Sequence, residues 1–368
     1  MPLGAASVLL NDNIHAPELQ RGVDRCFAHV VAAVEERFAS DAILCSPRGD
    51  AFGGRLSRLR LPATFTRHRR LQSLAVSLAA RVHRARLVFS PYFGRLHTSS
   101  IEIYMVYDMI YELFPQYFSP KDSGIASFVA EKRRCFERAT TLVAISESTA
   151  RDVSRVYSHI DPAKIHVIYP GVDDEFSLVT PRQVETPGDP YFLYVGNRWL
   201  YKNFIGFVEA FGHSGLLGEW ELRVVSPIES PWTEAEQRLF ARLGLTTRVR
   251  LLSNVSDVAL RELYARATAL VYPSEYEGFG LPVLEAMACG TVVAAARAAS
   301  IPEAGGDVAL YFDPVRTDEI AECLRRVAYM ETAERKMRVE AGRVRARQFT
   351  WKRFGEQTAE LLSNELAE

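Results

Sequence analysis

Short runs of β-branched and aromatic residues alternate with longer stretches of helical spacing along the whole chain. The short runs predict strands, and in the first half they occupy residues 6–10, 42–45, 86–90, 101–107, 141–145 and 165–169. The second half repeats the rhythm at 191–195, 221–225, 248–252, 269–272, 292–295 and 309–312. Strands alternating with amphipathic helices are typical of βαβ units. The pattern therefore predicts an α/β protein with two doubly wound, Rossmann-like domains.

A polar segment at residues 179–190 separates the two halves, and it crowds three prolines and a glycine into a stretch that disfavours helix and strand. We place the linker there. An N-terminal domain is expected over 1–180 and a C-terminal domain over 181–345, facing each other across a cleft. Helical spacing from Arg345 to Leu366 predicts a last helix, and residues 346–368 are expected to pack back across the hinge.

The amino-acid composition is that of a globular protein. Of the 368 residues, 48% are apolar and 24% charged, as in ordinary globular proteins and unlike fibrous or disordered chains. Five scattered cysteines form no pair with metal-site spacing, which argues against zinc and disulfides and favours the cytoplasm. No apolar run is long enough to span a bilayer. A net charge of −1 excludes a general polyanion binder.

Positive charge is nevertheless concentrated in one region. Between residues 51 and 101 there is no Asp or Glu, and the region contains ten arginines: Arg55, Arg58, Arg60, Arg67, Arg69, Arg70, Arg81, Arg84, Arg86 and Arg95. One interpretation is a solvated helix face. The other is a basic amphipathic surface whose Leu56, Leu59, Leu61 and Phe65 contact anionic lipid at the inner face of the plasma membrane. Nucleic acid is a weaker third option, because no nucleic-acid motif is present.

The segment 273–290 carries the clearest chemistry. A strand is predicted to end at residue 272, a loop with Gly278 and Gly280 follows, and Pro282 opens a helix. Glycines allow close approach of the backbone, and a helix N-terminus attracts anions, so the loop suits a phosphate. Glu277 and Glu285 flank it with seven residues between them, and each could bind a vicinal diol.

This segment resembles the Glu-x7-Glu motif of the retaining GT-B glycosyltransferases of family 4, which include mannosyl-, rhamnosyl- and N-acetylglucosaminyltransferases. The segments 144–149, 164–173, 192–196, 202–203, 260–267 and 300–303 resemble the same family in the right order. Gly22 and the run Tyr107-Asp108 are similar to its N-terminal landmarks. The resemblance implies a donor site in the C-terminal half and an acceptor site in the N-terminal half.

Roles carried over from the family follow the matching positions. Glu277 is expected to contact hydroxyls of the transferred sugar, Glu285 to hold the ribose diol, and Lys202 to neutralise the diphosphate. The loop residues expected to offer amides near sugar and phosphate are Gly278, Phe279, Gly280 and Leu281.

Four positions depart from the family pattern or leave alternatives open. Asn197 stands where the family has arginine, and Arg198 one position later is expected to contact phosphate. Tyr107 replaces a histidine near the reacting sugar, and tyrosine has no positive charge near neutral pH. Asp108 could orient an acceptor hydroxyl or pack structurally.

The function implied is transfer of a sugar from a nucleoside-diphosphate sugar to an acceptor hydroxyl, with the anomeric configuration retained. The acceptor is a lipid-linked molecule or a saccharide, as in surface polysaccharide, lipopolysaccharide or glycolipid assembly. We expect neither cofactor nor metal, because an Asp-x-Asp element is absent. Alternatives are a sugar-nucleotide epimerase, a non-catalytic partner of another transferase, and a phosphorylase-like or soluble-acceptor sugar enzyme.

Overall fold

The computed structural model describes residues 6–13, 21–48, 54–62, 64, 69–118, 123–179, 190–226 and 231–368. The chain divides into two compact units. Unit 1 comprises Met1–Gly171 together with Trp351–Glu368, and unit 2 comprises Val172–Thr350. Residues 180–189, which make up most of the expected linker, lie outside the described part, so the linker stays a prediction.

Each unit is built on one parallel sheet. The strands of the first sheet are β1 (Val8–Asn11), β2 (Ala42–Ser46), β3 (Ser57–Arg60), β4 (Leu87–Ser90), β5 (Ile101–Val106), β6 (Thr141–Ala144) and β7 (Ile165–Val167). Those of the second are β8 (Tyr191–Val195), β9 (Glu221–Ser226), β10 (Val249–Ser253), β11 (Ala269–Tyr272), β12 (Val293–Ala296) and β13 (Leu310–Phe312). The orders are β3-β2-β1-β4-β5-β6-β7 and β10-β9-β8-β11-β12-β13. Both orders reverse once, which confirms two doubly wound sheets.

Helices follow the strands as the hydrophobic periodicity predicts. They are α1 (Arg21–Phe38), α2 (Arg69–Val82), α3 (Ile110–Leu113), α4 (Ser123–Arg138), α5 (Glu147–Val156), α6 (Phe204–His213), α7 (Glu234–Leu243), α8 (Asp257–Arg266), α9 (Leu281–Ala288), α10 (Ile301–Gly305), α11 (Thr317–Ala328), α12 (Thr332–Ala346) and α13 (Trp351–Ala367). None of the helices in the described ranges is long and apolar enough to cross a membrane.

The end of the chain belongs to unit 1. The expected last helix is present as α13, but it begins at Trp351 and not at Arg345, because α12 ends at Ala346 and Thr350 forms a β-bridge between the two helices. Helix α13 packs on α1, where the rings of Trp351 and His29 stack at 4.6 Å. A Cβ on Gly355 would lie 2.9 Å from the His29 carbonyl oxygen, so glycine permits this close helix contact.

Strand β3 corrects the expectation for the basic region. Residues 57–60 pair in parallel with β2 at the edge of the first sheet. Leu56 is buried, and Leu59 and Leu61 pack against the core cluster that contains Leu9. The hypothesis that these three leucines contact lipid is therefore wrong: Leu56 is buried, and Leu59 and Leu61, two positions apart in and directly after β3, share the face that packs inward. Phe65 lies outside the described residues.

Candidate functional site

The loop between β11 and α9 forms the centre of the site in unit 2. Strand β11 is fully buried and ends at Tyr272, and α9 is buried from Val283 to Ala288. Gly280 joins them with φ +116°, a conformation that side-chain-bearing residues rarely adopt. Within the described part of the chain, no side chain caps the N-terminus of α9. Its first amides are thus directed at the loop, where the helix dipole favours negative charge.

Lys202 and Glu277 form a two-armed ion pair in this loop. The Lys202 Nζ lies 2.7 Å from Glu277 Oε1 and 2.8 Å from Oε2. Their side chains are only 15% and 11% exposed. Lys202 ends a 3-10 turn that follows β8, and Asn203 closes the turn in the left-handed conformation. The sequence placed both residues in one site, but it did not show that they neutralise each other.

Three residues that sequence analysis did not single out hold the loop in place. Ser300 Oγ donates to the carbonyl oxygens of Glu277, at 2.7 Å, and Phe279, at 3.0 Å. The backbone N–H of Glu275 donates to the carbonyl of Tyr201 at 2.8 Å. Ser300 lies in a segment, 300–303, that already resembled the family, and this was its only signal in the sequence.

Tyr272 contributes a neutral hydroxyl to the same loop. Burial, followed by the neighbouring Glu277 carboxylate and its hydrogen bond to that carboxylate, raises the pKa of Tyr272 well above its usual range. The phenol therefore stays protonated and available as a hydrogen-bond donor to Glu277.

Glu285 lies one and a half turns into α9 and is buried. Tyr264 of α8 donates its hydroxyl to Glu285 Oε2 at 3.0 Å. The ring of Tyr264 is itself fully buried, so this oxygen has a fixed position. Burial, followed by the Glu285 charge, raises the pKa of the adjacent Cys289 thiol to about 12. The predicted diol ligand is therefore a preorganised carboxylate.

Arg198 forms a buried ion pair with Glu236. Its Nε donates to Glu236 Oε1 at 2.7 Å, with the side chains of both residues buried. Its guanidinium also lies 4.8 Å from the centre of the Trp232 ring. Glu236 belongs to the capping box with Thr233 that begins α7. The expected phosphate contact of Arg198 stays a prediction, and its visible role is to fix the start of α7.

Asn197 lies between Arg198 and β8. Its carbonyl accepts a hydrogen bond from Tyr194 Oη at 2.6 Å. Its side-chain Oδ1 is buried and has no hydrogen-bond partner among the described residues. A buried acceptor without a donor is costly, so this amide is the unsatisfied group of the β8 loop.

The expected acceptor residues lie in unit 1. Gly22 is in the first turn of α1, and Tyr107 and Asp108 follow β5. Tyr107 Oη contacts Met105 Sδ at 3.3 Å, and burial raises the pKa of Tyr107 well above its ordinary value. Asp108 accepts a hydrogen bond from the Ile110 N–H at 3.2 Å. Both roles left open for Asp108 stay predictions.

Sequence analysis missed a charged cluster at the carboxyl edge of the first sheet. The buried Asp12 carboxylate accepts from Ser46 Oγ and from Arg48, each at 2.6 Å, and Arg48 also pairs with Asp24 at 2.5 Å. Asp12 follows β1, Arg48 follows β2 and Tyr107 follows β5, so these three residues share one edge of the sheet. Polar residues at the ends of successive parallel strands were the available signal.

Cysteine and other metal-ligating side chains complete the description of candidate chemistry. Among the residues that the structure describes, no group of three or more His, Cys, Asp or Glu side chains could hold a metal ion. All five cysteines are buried and free.

Comparisons with known proteins agree with the motif. Residues 18–176 match the family described as Glycosyltransferase Family 4, and residues 180–345 match Glycosyl transferases group 1. The chain is 26% identical over 310 residues to the O-antigen chain mannosyltransferase B of Escherichia coli, which is 81% of this chain and 80% of that protein.

Two further comparisons extend this similarity. The MMP alpha-(1->4)-mannosyltransferase of Mycolicibacterium hassiacum is 28% identical over 243 residues, 65% of this chain and 58% of that protein. The crystal structure of WaaG, a glycosyltransferase involved in lipopolysaccharide biosynthesis, has a TM-score of 0.75 at 20% identity, with 97% of this chain and 99% of that one covered. At this identity, the structural likeness shows the fold alone.

Proposed function

Since the chain belongs to the family 4-like glycosyltransferases of the GT-B fold, we propose that it transfers a sugar from a nucleoside-diphosphate sugar to an acceptor hydroxyl with retention of configuration. The observation that carries the proposal is the Lys202–Glu277 pair beside the uncapped N-terminus of α9. A cation, directed amides and a carboxylate in one loop match the parts of such a donor: two phosphates and a ring of hydroxyls.

Binding of the donor follows from the chemistry of each group. The Lys202 ammonium approaches the diphosphate, and the amides of Gly278, Phe279, Gly280 and Leu281 offer further donors to phosphate and sugar. Glu277 accepts hydrogen bonds from sugar hydroxyls. Glu285, whose Oε2 accepts a hydrogen bond from Tyr264, holds the ribose diol.

The transfer step requires stabilisation of the leaving group. As the bond between the anomeric carbon and the phosphate oxygen breaks, negative charge grows on the diphosphate and Lys202 compensates it. The acceptor oxygen forms its bond on the same face of the sugar, and its proton passes to the departing phosphate oxygen. This route needs neither an enzymic nucleophile nor a metal ion.

The sugar and the acceptor are proposed by similarity to the named relatives. Two of them are mannosyltransferases, so mannose is the first sugar to test. One acts on an O-antigen chain by name, which supports a role in surface polysaccharide or glycolipid assembly. The acceptor is then a saccharide or a lipid-linked molecule, and the enzyme works in the cytoplasm at the inner face of the plasma membrane.

A thermal-shift panel with UDP, GDP, dTDP, CDP and ADP tests the donor site. A ligand at a hundred times its Kd stabilises the folded state by about 2.7 kcal/mol, which is readily detected. Lys202→Ala is expected to abolish the shift, and Lys352→Ala, at an 84% exposed lysine of α13, is the matched control. If no nucleotide stabilises the folded wild-type protein, the proposed donor site is wrong.

A further inference from the structure

Helix α2 carries an exposed apolar stripe. Leu71, Leu74, Leu78 and Val82 are 47%, 55%, 61% and 66% exposed. At 100° per residue these positions fall within an arc of about 80°, and they extend over about 16 Å of the helix. They therefore form one continuous ridge along α2.

The opposite face of α2 attaches the helix to unit 1. Val76, Ala79 and Ala80 are buried in the cluster that contains Leu9 and Val88. The outer leucines take no part in that cluster. A change of the ridge from apolar to polar therefore leaves the packing of the helix intact.

Positive charge borders one side of the ridge. Four arginines on α2 and directly after it are exposed: Arg70, Arg81, Arg84 and Arg86. By helix position Arg70 and Arg81 lie beside the ridge, at about 100° and 80° from Leu71. Because the chain has no Asp or Glu between residues 51 and 101, this sequence stretch supplies no opposing charge. The exposed Met337 of α12, by contrast, lies within three residues of Glu334 and Glu340.

We propose that α2 is a membrane-docking helix that lies flat on an anionic lipid surface, with the ridge between the acyl chains and the arginines at the headgroups. An apolar face bordered by arginine is the pattern of helices that bind in the plane of a charged bilayer. This surface replaces the leucines of β3 that the sequence suggested.

Docking through α2 would also hold the carboxyl edge of the first sheet, where the expected acceptor residues lie, close to the membrane. Gln72, at the start of α2, donates its side-chain amide to the carbonyl of Asp12 at the end of β1. That edge of the sheet also holds Tyr107. The inference rests on the proposed function in one respect: docking places this edge near the bilayer, which matters only if the acceptor is lipid-linked.

Co-sedimentation with vesicles tests the proposal. The full chain is mixed with phosphatidylcholine vesicles and with vesicles in which about one third of the lipid is phosphatidylglycerol, and selective binding to the second is expected. Leu74→Ser/Leu78→Ser should weaken that binding at least tenfold. Met337→Ser/Val344→Ser, a pair of similar exposure on α12, should bind as wild type.

Arginine variants test the charge. Arg70→Gln/Arg81→Gln should lower the partition coefficient on the order of 20-fold, and the loss should shrink as salt concentration rises and screens the wild-type attraction. Unchanged binding of the leucine variant, or equal binding to neutral and anionic vesicles, would overturn the proposal.

Self-association and damage to the donor site are distinguished from lipid docking by two further measurements. Sedimentation velocity without lipid that shows a dimer dissociated by Leu74→Ser/Leu78→Ser would make the ridge a contact between copies and sink the membrane proposal. The nucleotide thermal shift of the same variant reports on the donor site alone. If this variant keeps its nucleotide thermal shift but no longer binds vesicles, the membrane-docking proposal is supported independently of the donor site. If the wild-type protein shows no nucleotide shift, the donor-site proposal fails and the vesicle-binding result still stands.

Discussion

Breaking the Lys202–Glu277 pair should destabilise the ligand-free protein, although both residues belong to the proposed donor site. The two residues are 75 positions apart, so the pair joins the loop after β8 to the loop after β11. Each side chain is largely withdrawn from water. Removal of either partner leaves the other charged, buried and without compensation.

The expected magnitude follows from that burial. Loss of one partner of a buried pair costs about 3–5 kcal/mol, and the residual exposure of both side chains favours the lower end, about 3 kcal/mol. For a folding unit of this size, 1 kcal/mol corresponds to about 2–4 °C, so Lys202→Met or Glu277→Gln should lower the Tm by roughly 6 to 12 °C. The double variant removes both charges and should lose clearly less than the sum, with a coupling of about 2 kcal/mol.

Urea unfolding of the four proteins without nucleotide measures this cycle. The matched control is the exposed pair Arg238–Glu234 of α7, whose side chains are 74% and 88% exposed and whose coupling should be close to zero. If the effects of Lys202→Met and Glu277→Gln simply add, the pair does not exist in the free protein and the reasoning fails.

Three further changes test other parts of the site. Arg198→Ala should cost about 3 kcal/mol of stability, because Glu236 keeps its buried charge without the counter-charge of Arg198. If Arg198 also contacts phosphate, as the family pattern predicts, the nucleotide Kd should rise roughly tenfold, and an unchanged Kd would contradict that contact. Glu285→Gln should raise nucleotide Kd roughly tenfold, more than Tyr264→Phe, in a titration; equal effects would contradict direct contact by Glu285. Burial raises the pKa of all five thiols to about 12, so Ellman's reagent at pH 8 should label them only after unfolding. Because the thiols of the unfolded chain lose their protons near pH 9 and those of the folded chain near pH 12, the free energy of unfolding should fall between these two pH values.

The fold was largely accessible from the sequence because buried parallel strands are continuous apolar runs. Strands such as β8 and β11 have the predicted positions and are buried on both faces. Strand β3 was missed because it is an edge strand of four residues, Ser57–Arg60, in which arginine alternates with serine and leucine. So short an alternation does not distinguish a half-buried strand from a lipid-binding surface.

The exposed ridge of α2 could not be predicted for a related reason. Leu74 and Leu78 are outside and Val76 and Ala80 are inside, so the helix is apolar nearly all round. Periodicity locates a buried face only where the opposite face is polar. The packing against the first sheet decides which apolar residues remain exposed.

Site positions could be predicted from motif spacing, whereas their partners could not. Glu277 and Glu285 belong to one contiguous motif, and the family resemblance is confirmed by the matches that cover both halves of the chain. The contact of Arg198 with Glu236 depends on a helix that begins more than thirty residues later. Long-range side-chain contacts follow from tertiary packing, and single-sequence patterns do not contain them.

The Lys202–Glu277 pair also explains how a site for a charged donor remains stable when it is empty. A lysine placed for a diphosphate would be an uncompensated buried cation in the free protein, and Glu277 supplies its counter-charge. When a diphosphate enters under the proposed mechanism, its charge replaces that of Glu277 on the ammonium, and the carboxylate turns to neutral hydroxyls that donate to it. Each charge thus has a partner in both states. The carboxylate that we propose to recognise the sugar therefore also stabilises the unliganded fold.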